Sequence, residues 1–234
     1  VAAYGVRLPA DDVRRRVGES GRALIRRGRD RRGAAEAGNR LSVLGLDVRH
    51  QGAARVDDLE AQCPAVFHLV QQQLFDQGVQ IDRVVVGSGS SGTHGGLVAG
   101  FLGNHIHIPI VGIGVSRDPA DQQPLVLKEA QAVADLLGLG LTVKPEDVTC
   151  VGGYWQPKYS VPNAKMVEAV QLLARTEAIP LDPVYTGKIM AGLIGLARQG
   201  FFKPGERVLF LHTGGLPSLH AYEDAVLGRT EVAA

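Results

Sequence analysis

The stretch from residue 84 to residue 96, VVVGSGSSGTHGG, joins an apolar run to a loop of glycine and hydroxyl residues. A buried strand that leads through such a loop into a helix directs free backbone N–H groups and the positive end of the helix dipole at one point. The ligand that this arrangement favours is an anion, and phosphate above all. The loop and its flanks carry four hydroxyl side chains: Ser88, Ser90, Ser91 and Thr93.

The identity of the phosphate is open at this level. Residues 87–92 match the dinucleotide pattern G-x-G-x-x-G, and Asp118 follows the next predicted strand, where a ribose-binding carboxylate could lie. Against a dinucleotide, Thr93 and His94 follow the third glycine, and the hydroxyl groups exceed what a backbone-bound pyrophosphate needs. A terminal phosphate monoester has three oxygens to satisfy and suits such a loop better.

Three further segments could contribute to the same chemistry. A second glycine turn, His212-Thr213-Gly214-Gly215, follows the last predicted strand. The segment LDPVYTGK (181–188) turns at Asp-Pro and presents Tyr185 and Thr186 at the start of a helix. Tyr159 lies on a loop bounded by prolines, QPKYSVPN (156–163). Phenols at such positions are able to orient or exchange protons.

The intervening sequence predicts the elements that position these loops. Short apolar runs alternate with amphipathic helices, which is typical of a parallel α/β layer. Asn163 is a candidate N-cap, and Gly78 and Gly200 are placed to end helices. Strands are predicted over 81–88, 108–116 and 206–213, and helices over 63–78, 94–103, 120–138, 163–178 and 188–200.

Composition limits the function classes. The chain has 234 residues, 45% of them hydrophobic and 21% charged, with a net charge of +1, which argues against a dedicated nucleic-acid or membrane-surface protein. The arginine-rich segment 14–33 lacks interleaved aromatic residues and is interpreted as a solvated face. His105 and His107 are expected on a surface turn, so no metal site is predicted. With no signal peptide or spanning segment, a cytoplasmic location is expected.

Taken together, four segments resemble the D-cysteine desulfhydrase and 1-aminocyclopropane-1-carboxylate deaminase family, which also includes L-cysteate sulfo-lyase. The segments are SGSSGTHGGL, YSVPN, LDPVYTGKIMAGLI and FLHTGGLPSLHAY, in order between residues 81 and 228. The resemblance implies a pyridoxal 5'-phosphate cofactor and the tryptophan-synthase-β-like fold (fold type II). That fold is an open, mostly parallel sheet with helices on both faces. The resemblance further implies a homodimer and a small amino-acid substrate, and the composition predicts no nucleic-acid or membrane partner.

Site residues follow from the resemblance position by position. The cofactor phosphate would be bound by Ser90, Ser91, Gly92 and Thr93. Tyr185 and Tyr159 would face the substrate as catalytic phenols. Thr186, Thr213 and Gly214 would contact the cofactor. Thr186 and Thr213 stand where the deaminases carry a glutamate and a leucine, so both favour β-elimination of a sulfur leaving group.

One departure from the family concerns lysine. Family members bind the cofactor covalently through a lysine in an N-terminal Gly-Asn-Lys-type segment, whereas the first lysine of this chain is Lys128. Lys188 is expected to be structural and Lys158 to be solvated. The sequence therefore also supports a second hypothesis, a catalytically inactive protein that binds a phosphate ligand, and the chain resembles an N-terminally shortened member. Residues 1–61 are predicted to be the remnant of a smaller α/β domain, and 62–234 the cofactor-binding domain.

Overall fold

The computed structural model describes residues 4–9, 40–47, 74 and 78–233, with backbone alone for the first two ranges. The strands are β1 (Tyr4–Pro9), β2 (Arg40–Asp47), β3 (Arg83–Ser88), β4 (Ile110–Gly114), β5 (Thr149–Val151) and β6 (Arg207–His212). The α-helices are α1 (Gly92–Gly103), α2 (Pro119–Leu136), α3 (Ala164–Glu177), α4 (Thr186–Arg198) and α5 (Glu223–Val226). Short 3₁₀ helices cover Pro145–Asp147 and Leu216–Tyr222.

The six strands form one sheet in the order β1-β2-β6-β3-β4-β5. β1 is antiparallel to β2, and every other pair is parallel. β6, the last strand in the chain, is therefore inserted next to β3. The carboxyl ends of these two neighbouring strands, each followed by a glycine-rich loop, lie at the same edge of the sheet.

Helices cover both faces of the sheet, because the strands are apolar on both sides. Val84 and Val86 pack with α1 and α2, whereas Val85 on the opposite face packs with α3 and α4. All three valines are essentially inaccessible to solvent. The predicted α/β architecture, a parallel sheet with helices on both faces, is confirmed.

The boundaries differ from the predictions in instructive places. α1 begins at Gly92 rather than at residue 94, because the helix starts directly from the glycine loop. β5 was not predicted, since three residues carry too little periodicity to be recognised. Asn163 caps α3 as predicted, its Oδ1 accepting from Met166 N at 2.8 Å. The predicted helix over 63–78 and the arginine-rich segment 14–33 fall almost entirely outside the described residues.

β2 lies within the segment predicted to be a domain remnant, and it pairs in parallel with β6 from Ser42–Arg207 to Asp47–His212. Residues 48–73 are not among those described, so the boundary near residue 61 stays a prediction. Within the described ranges, no helix is both long enough and apolar enough to cross a bilayer.

Candidate functional site

The sheet register brings the two glycine loops together. Val85 of β3 pairs with Phe210 of β6, so Ser88 and Thr213, each three residues further on, come level at the carboxyl edge. Ligands of open α/β sheets bind outside this edge. We call residues 87–93 the glycine–hydroxyl loop and residues 212–215 the HTGG loop.

The glycine–hydroxyl loop turns sharply into α1. Ser91, the residue before the helix, has a left-handed backbone with φ 79° and is buried, whereas Ser90 is exposed. Gly92 and Thr93 form the half-buried first turn, whose N–H groups have no partner within a helix. The loop therefore presents one exposed hydroxyl and a helix N-terminus on its outer side.

A buried glutamine holds this loop from behind. Gln122 of α2 is fully buried, and its Nε2 lies 2.9 Å from Ser91 Oγ, 3.1 Å from Ser88 Oγ and 3.1 Å from the Gly89 carbonyl oxygen. Arg117 Nη1 also donates to the Gly89 carbonyl, at 2.9 Å. Sequence reasoning did not identify Gln122. Its signal was a polar residue on the otherwise apolar stripe Gln122, Val126, Ala130 and Val133 of α2.

His94 lies behind the loop and not on its open side. The imidazole is completely buried, its Nδ1 is 3.0 Å from Ser88 Oγ, and its Nε2 has no hydrogen-bond partner within the described structure. Burial lowers the pKa of His94 from 6.5 to about 4. The imidazole is therefore neutral near pH 7 and shapes the loop from inside.

Asp182 organises the turn that carries Tyr185 and Thr186. Its buried carboxylate accepts hydrogen bonds from three successive backbone N–H groups, those of residues 184, 185 and 186, at 2.7–2.9 Å. It thus satisfies the donors that begin α4. The Thr186 hydroxyl, also fully buried, donates to Asp182 Oδ1 at 2.7 Å. The structure therefore places Thr186 beside Asp182, and contact of Thr186 with a cofactor stays a prediction.

The two predicted catalytic tyrosines meet. The hydroxyl groups of Tyr159 and Tyr185 are hydrogen-bonded, with ring centroids 5.8 Å apart. Both side chains are partly exposed, at 42% and 41%. The Tyr159 hydrogen bond, with smaller contributions from burial and from the negative charge of Asp182, raises the pKa of Tyr185 to about 12. Tyr185 therefore stays protonated to a higher pH than an ordinary tyrosine, whose pKa is about 10.

Tyr185 also borders the glycine–hydroxyl loop. A Cβ atom built on Gly89 would lie 4.0 Å from Tyr185 Cε1 and 3.0 Å from Val115 Cγ2. A side chain at residue 89 would therefore fill the space between the loop and the phenol. Glycine keeps that space open, so an anion on the loop and a substrate beside the phenol can be neighbours.

The HTGG loop is tied to the same turn. His212 Nε2 lies 3.0 Å from the Pro180 carbonyl, and Gly214 N donates to His212 Nδ1 at 3.2 Å. His212 therefore shapes this loop. Thr213 is exposed at its tip. Gly215 packs on Asp182, since a Cβ on Gly215 would approach Asp182 Cγ to 2.7 Å.

Adjacent glycines of this loop provide a matched pair for a stability measurement. Gly214 and Gly215 have nearly equal positive φ angles, 93° and 90°, but a Cβ on Gly214 meets nothing within 4 Å. Alanine at either position should cost about 1 kcal/mol of backbone strain. Gly215→Ala should cost about 1–2 kcal/mol more, because it displaces the Asp182 carboxylate. Urea unfolding of both variants measures the difference, and equal losses would contradict the predicted contact.

A family model described as "pyridoxal-phosphate dependent enzyme" matches residues 19–214 of the chain. The chain belongs to this pyridoxal-phosphate-dependent family. The matched range includes the glycine–hydroxyl loop, the Tyr159–Tyr185 pair and the HTGG loop as far as Gly214. Because this family uses pyridoxal phosphate, the alternative of a dinucleotide cofactor is wrong. Asp118, the candidate ribose ligand, accepts hydrogen bonds from Trp155 Nε1 at 3.0 Å and Gln156 Nε2 at 3.3 Å.

One solved structure supports the fold. A structure described as an ACC deaminase homologue is 31% identical, with a TM-score of 0.57 over 73% of this chain and 50% of that one. The processed form of threonine deaminase isoform 2 from Solanum lycopersicum is 17% identical, with a TM-score of 0.45 over 73% and 47%. This chain thus spans about half the length of these structures. The tryptophan-synthase-β-like fold predicted for it is confirmed.

The residues present fit the phosphate end of the family's cofactor. The loop offers the exposed Ser90 hydroxyl and the N-terminus of α1, and Gly89 leaves open the space next to it. The lysine that family members use to bind the cofactor covalently has no counterpart in residues 1–127 of this chain. All six lysines of the chain lie from residue 128 onward. Lys188 is buried, with its Nζ on two backbone carbonyls.

The structure thus brings most of the predicted site residues to one edge of the sheet. Ser90, Gly92 and Thr93 lie on the open side of the first loop, and Thr213 and Gly214 on the second. Tyr159 and Tyr185 meet, with Tyr185 next to Gly89 of the first loop, whereas Ser91 and Thr186 are directed at Gln122 and Asp182. The binding and catalytic roles of all these residues stay predictions. His105 and His107 are exposed, and no group of three metal-ligating side chains occurs among the described residues.

Proposed function

We propose that this chain supplies the phosphate-binding and substrate-facing residues of a carbon–sulfur lyase that acts on D-cysteine, as D-cysteine desulfhydrase does. The observation that carries the proposal is the hydrogen-bonded pair of Tyr159 and Tyr185, with Tyr185 next to Gly89 of the glycine–hydroxyl loop. Phenols placed next to an anion site are suited to an amino acid held there by a phosphate-bearing cofactor. The cytoplasmic location and the homodimer remain part of this proposal.

The reaction removes hydrogen sulfide from D-cysteine. The α-proton leaves, the electron pair forms a Cα–Cβ double bond, and the Cβ–S bond breaks with departure of the sulfur as HS⁻. Water then releases pyruvate and ammonia. When bound, pyridoxal phosphate supplies the electron sink that stabilises the negative charge at Cα.

In this proposal the chain's residues orient the substrate and stabilise the departing sulfur. Ser90 and the α1 N-terminus bind the phosphate, which fixes the distance of the substrate from the sheet edge. Tyr185, whose pKa is raised to about 12, is a protonated phenol near pH 7, as an ordinary tyrosine is, and can donate a hydrogen bond to the departing sulfur. Asp182 fixes the Tyr185 backbone through its N–H group, so the phenol is held in place.

The sulfur leaving group is favoured over ring opening by two residues. Threonine stands at positions 186 and 213, where the resembling deaminases carry glutamate and leucine. Thr186 is satisfied by Asp182 and adds no charge. L-cysteate and 1-aminocyclopropane-1-carboxylate are the alternative substrates.

A second function, phosphate-ligand binding without catalysis, is supported by one observation. Residues 1–127 contain no lysine, and Lys188 is already engaged with Trp155 O and Lys158 O. Covalent cofactor attachment would then require Lys158 or another lysine of the chain. The two functions predict different outcomes in one set of measurements.

The purified 234-residue chain is titrated with pyridoxal phosphate, reduced with borohydride and mapped by mass spectrometry. The lyase proposal expects a cofactor-modified lysine and faster release of sulfide and pyruvate from D-cysteine than of sulfite from L-cysteate or ammonia from the cyclopropane substrate. Inorganic phosphate should compete with cofactor binding, and Ser90→Asp should weaken binding about tenfold or more by charge repulsion. Phosphate-sensitive binding without a modified lysine would support the second function and exclude catalysis by this chain.

A further inference from the structure

Lys188 lies on α4, one turn after Tyr185, with its side chain fully buried. The described ion pairs do not include it. Its Nζ instead donates to the carbonyl oxygens of Trp155 at 2.9 Å and Lys158 at 3.1 Å. Burying an ammonium group against two carbonyl dipoles is costly compared with an apolar residue of similar size. The burial of Lys188 is therefore better explained by the two carbonyl groups that it holds than by a gain in stability.

The two carbonyls belong to the loop that carries Tyr159. We call residues 153–162 the tyrosine loop. The Lys158 carbonyl is part of the peptide bond that joins Lys158 to Tyr159, and it also accepts from Val161 N at 3.1 Å. Lys188 thus fixes the backbone directly before Tyr159, from the helix whose N-cap is Tyr185.

Other contacts anchor the loop at its ends. Asn163 Nδ2 donates to the carbonyls of Tyr154 and Gln156, and the Tyr222 hydroxyl donates to the Ser160 carbonyl at 2.8 Å. These bonds can keep the loop folded without Lys188. Among the described contacts, Lys188 is the one that links the segment just before Tyr159 to α4.

We propose that Lys188 is a positioning residue, which holds the tyrosine loop so that the Tyr159 hydroxyl stays hydrogen-bonded to that of Tyr185. This inference rests on the proposed role of the two phenols, but it concerns their geometry and is testable without turnover. Burial lowers the pKa of Lys188, which is the cost of holding this group away from solvent.

The first test replaces Lys188 with methionine and follows Tyr185 ionisation by NMR of the chain labelled at tyrosine Cζ. Loss of the Tyr159 partner should lower the pKa of Tyr185 from about 12 toward the ordinary phenol value of about 10. Trp155 is the single tryptophan of the chain and its carbonyl is a Lys188 partner, so its fluorescence should change as well. An unchanged Tyr185 pKa in folded Lys188→Met protein would overturn the proposal.

Three further variants make the result specific. Lys165→Met is the matched control. Lys165 also donates to a carbonyl of the tyrosine loop, that of Gly153 at 3.2 Å, but its side chain is exposed. This variant should leave the Tyr185 pKa unchanged. Tyr159→Phe should lower the Tyr185 pKa by itself, and adding Lys188→Met should lower it no further. A lower Tyr185 pKa in the double variant than in Tyr159→Phe would show that Lys188 does not act on Tyr185 through Tyr159.

Lys188→Gln covers the case in which methionine is not tolerated. Its amide can donate to one of the two carbonyls, so an intermediate Tyr185 pKa is expected. If neither variant folds, Lys188 is a fold-stabilising residue and the positioning role is rejected. If the lyase assay fails, a lowered Tyr185 pKa in the Lys188 variants still supports the positioning role. If the enzyme is active but the Tyr185 pKa does not change, only the positioning role is rejected.

Discussion

Acidification from about pH 7 to about pH 4 should lower the free energy of unfolding by roughly 3 kcal/mol through His94 alone. The pKa of His94 is lowered from 6.5 to about 4 in the folded protein. A lowered pKa means that the unfolded chain binds the proton first. Stability is therefore complete above about pH 6.5 and declines as the pH falls toward 4, where the folded state takes up the proton too.

The packing around His94 explains why the loss should be large. A Cβ on Gly112 would overlap the imidazole ring, and the ring is completely buried, so an imidazolium at this position would be shielded from water. Ser88 Oγ, which already accepts from Gln122 Nε2, is the hydrogen-bond partner of Nδ1. A charged His94 would therefore disturb the loop that is proposed to bind phosphate.

Urea unfolding at a series of pH values measures this effect. His94→Asn removes the titrating ring but keeps a side chain able to bond Ser88, so its stability should vary less with pH, although a cavity lowers it at pH 7. His107→Asn, at an exposed position, should retain the wild-type slope. An identical acid slope in His94→Asn would assign the effect to another group.

Local signals in the sequence were sufficient for much of the fold. Three strands and four helices with clear periodicity were placed within a few residues, and the Asn163 cap was confirmed by its bond to Met166 N. Gly200, with φ 74°, follows α4 as predicted. These features depend on residues close together in the chain, so they are visible without tertiary structure.

The supports of the site could not be predicted in the same way. Gln122 acts on Ser91, 31 residues away, and Lys188 on backbone carbonyls, which carry no signature of residue type. Asp182 was seen as part of an Asp-Pro turn, but its capping of three N–H groups follows from the conformation of the turn. Loop residues with recognisable chemistry were found from sequence, whereas the groups that hold them depend on how α2 and α4 pack.

These supports share one physical arrangement. Buried polar side chains on α2, on the first turn of α4 and in the turn that precedes α4 satisfy backbone and hydroxyl groups of three different loops; they are Gln122, Asp182, Thr186 and Lys188. Each buried polar group is costly unless its partner is in place. The loops are therefore held in defined positions, which is what a site that aligns a phosphate and a reacting carbon requires.

Removal of the Tyr185 hydroxyl is expected to have the largest effect on the proposed activity. Tyr185→Phe should lower kcat/KM for D-cysteine by about 100-fold or more, because removing one hydrogen-bond donor to the charge that develops in a transition state costs about 10²–10³-fold. Affinity for pyridoxal phosphate should change little, since the phosphate-binding N–H groups and Ser90 are untouched. Sulfide release and a cofactor titration measure the two quantities separately.

Tyr222 provides a control that separates the role of the Tyr185 hydroxyl from the general effect of losing a tyrosine hydroxyl. Tyr222→Phe also removes one hydroxyl bonded to the tyrosine loop, at the Ser160 carbonyl, but away from the Tyr159–Tyr185 pair. It should retain activity within a few-fold of the wild type. Tyr159→Phe should fall between the two, because Tyr185 keeps its proton but loses the partner that orients it. Equal activity in Tyr185→Phe and Tyr222→Phe would remove Tyr185 from the reaction and leave the phenol pair a structural contact.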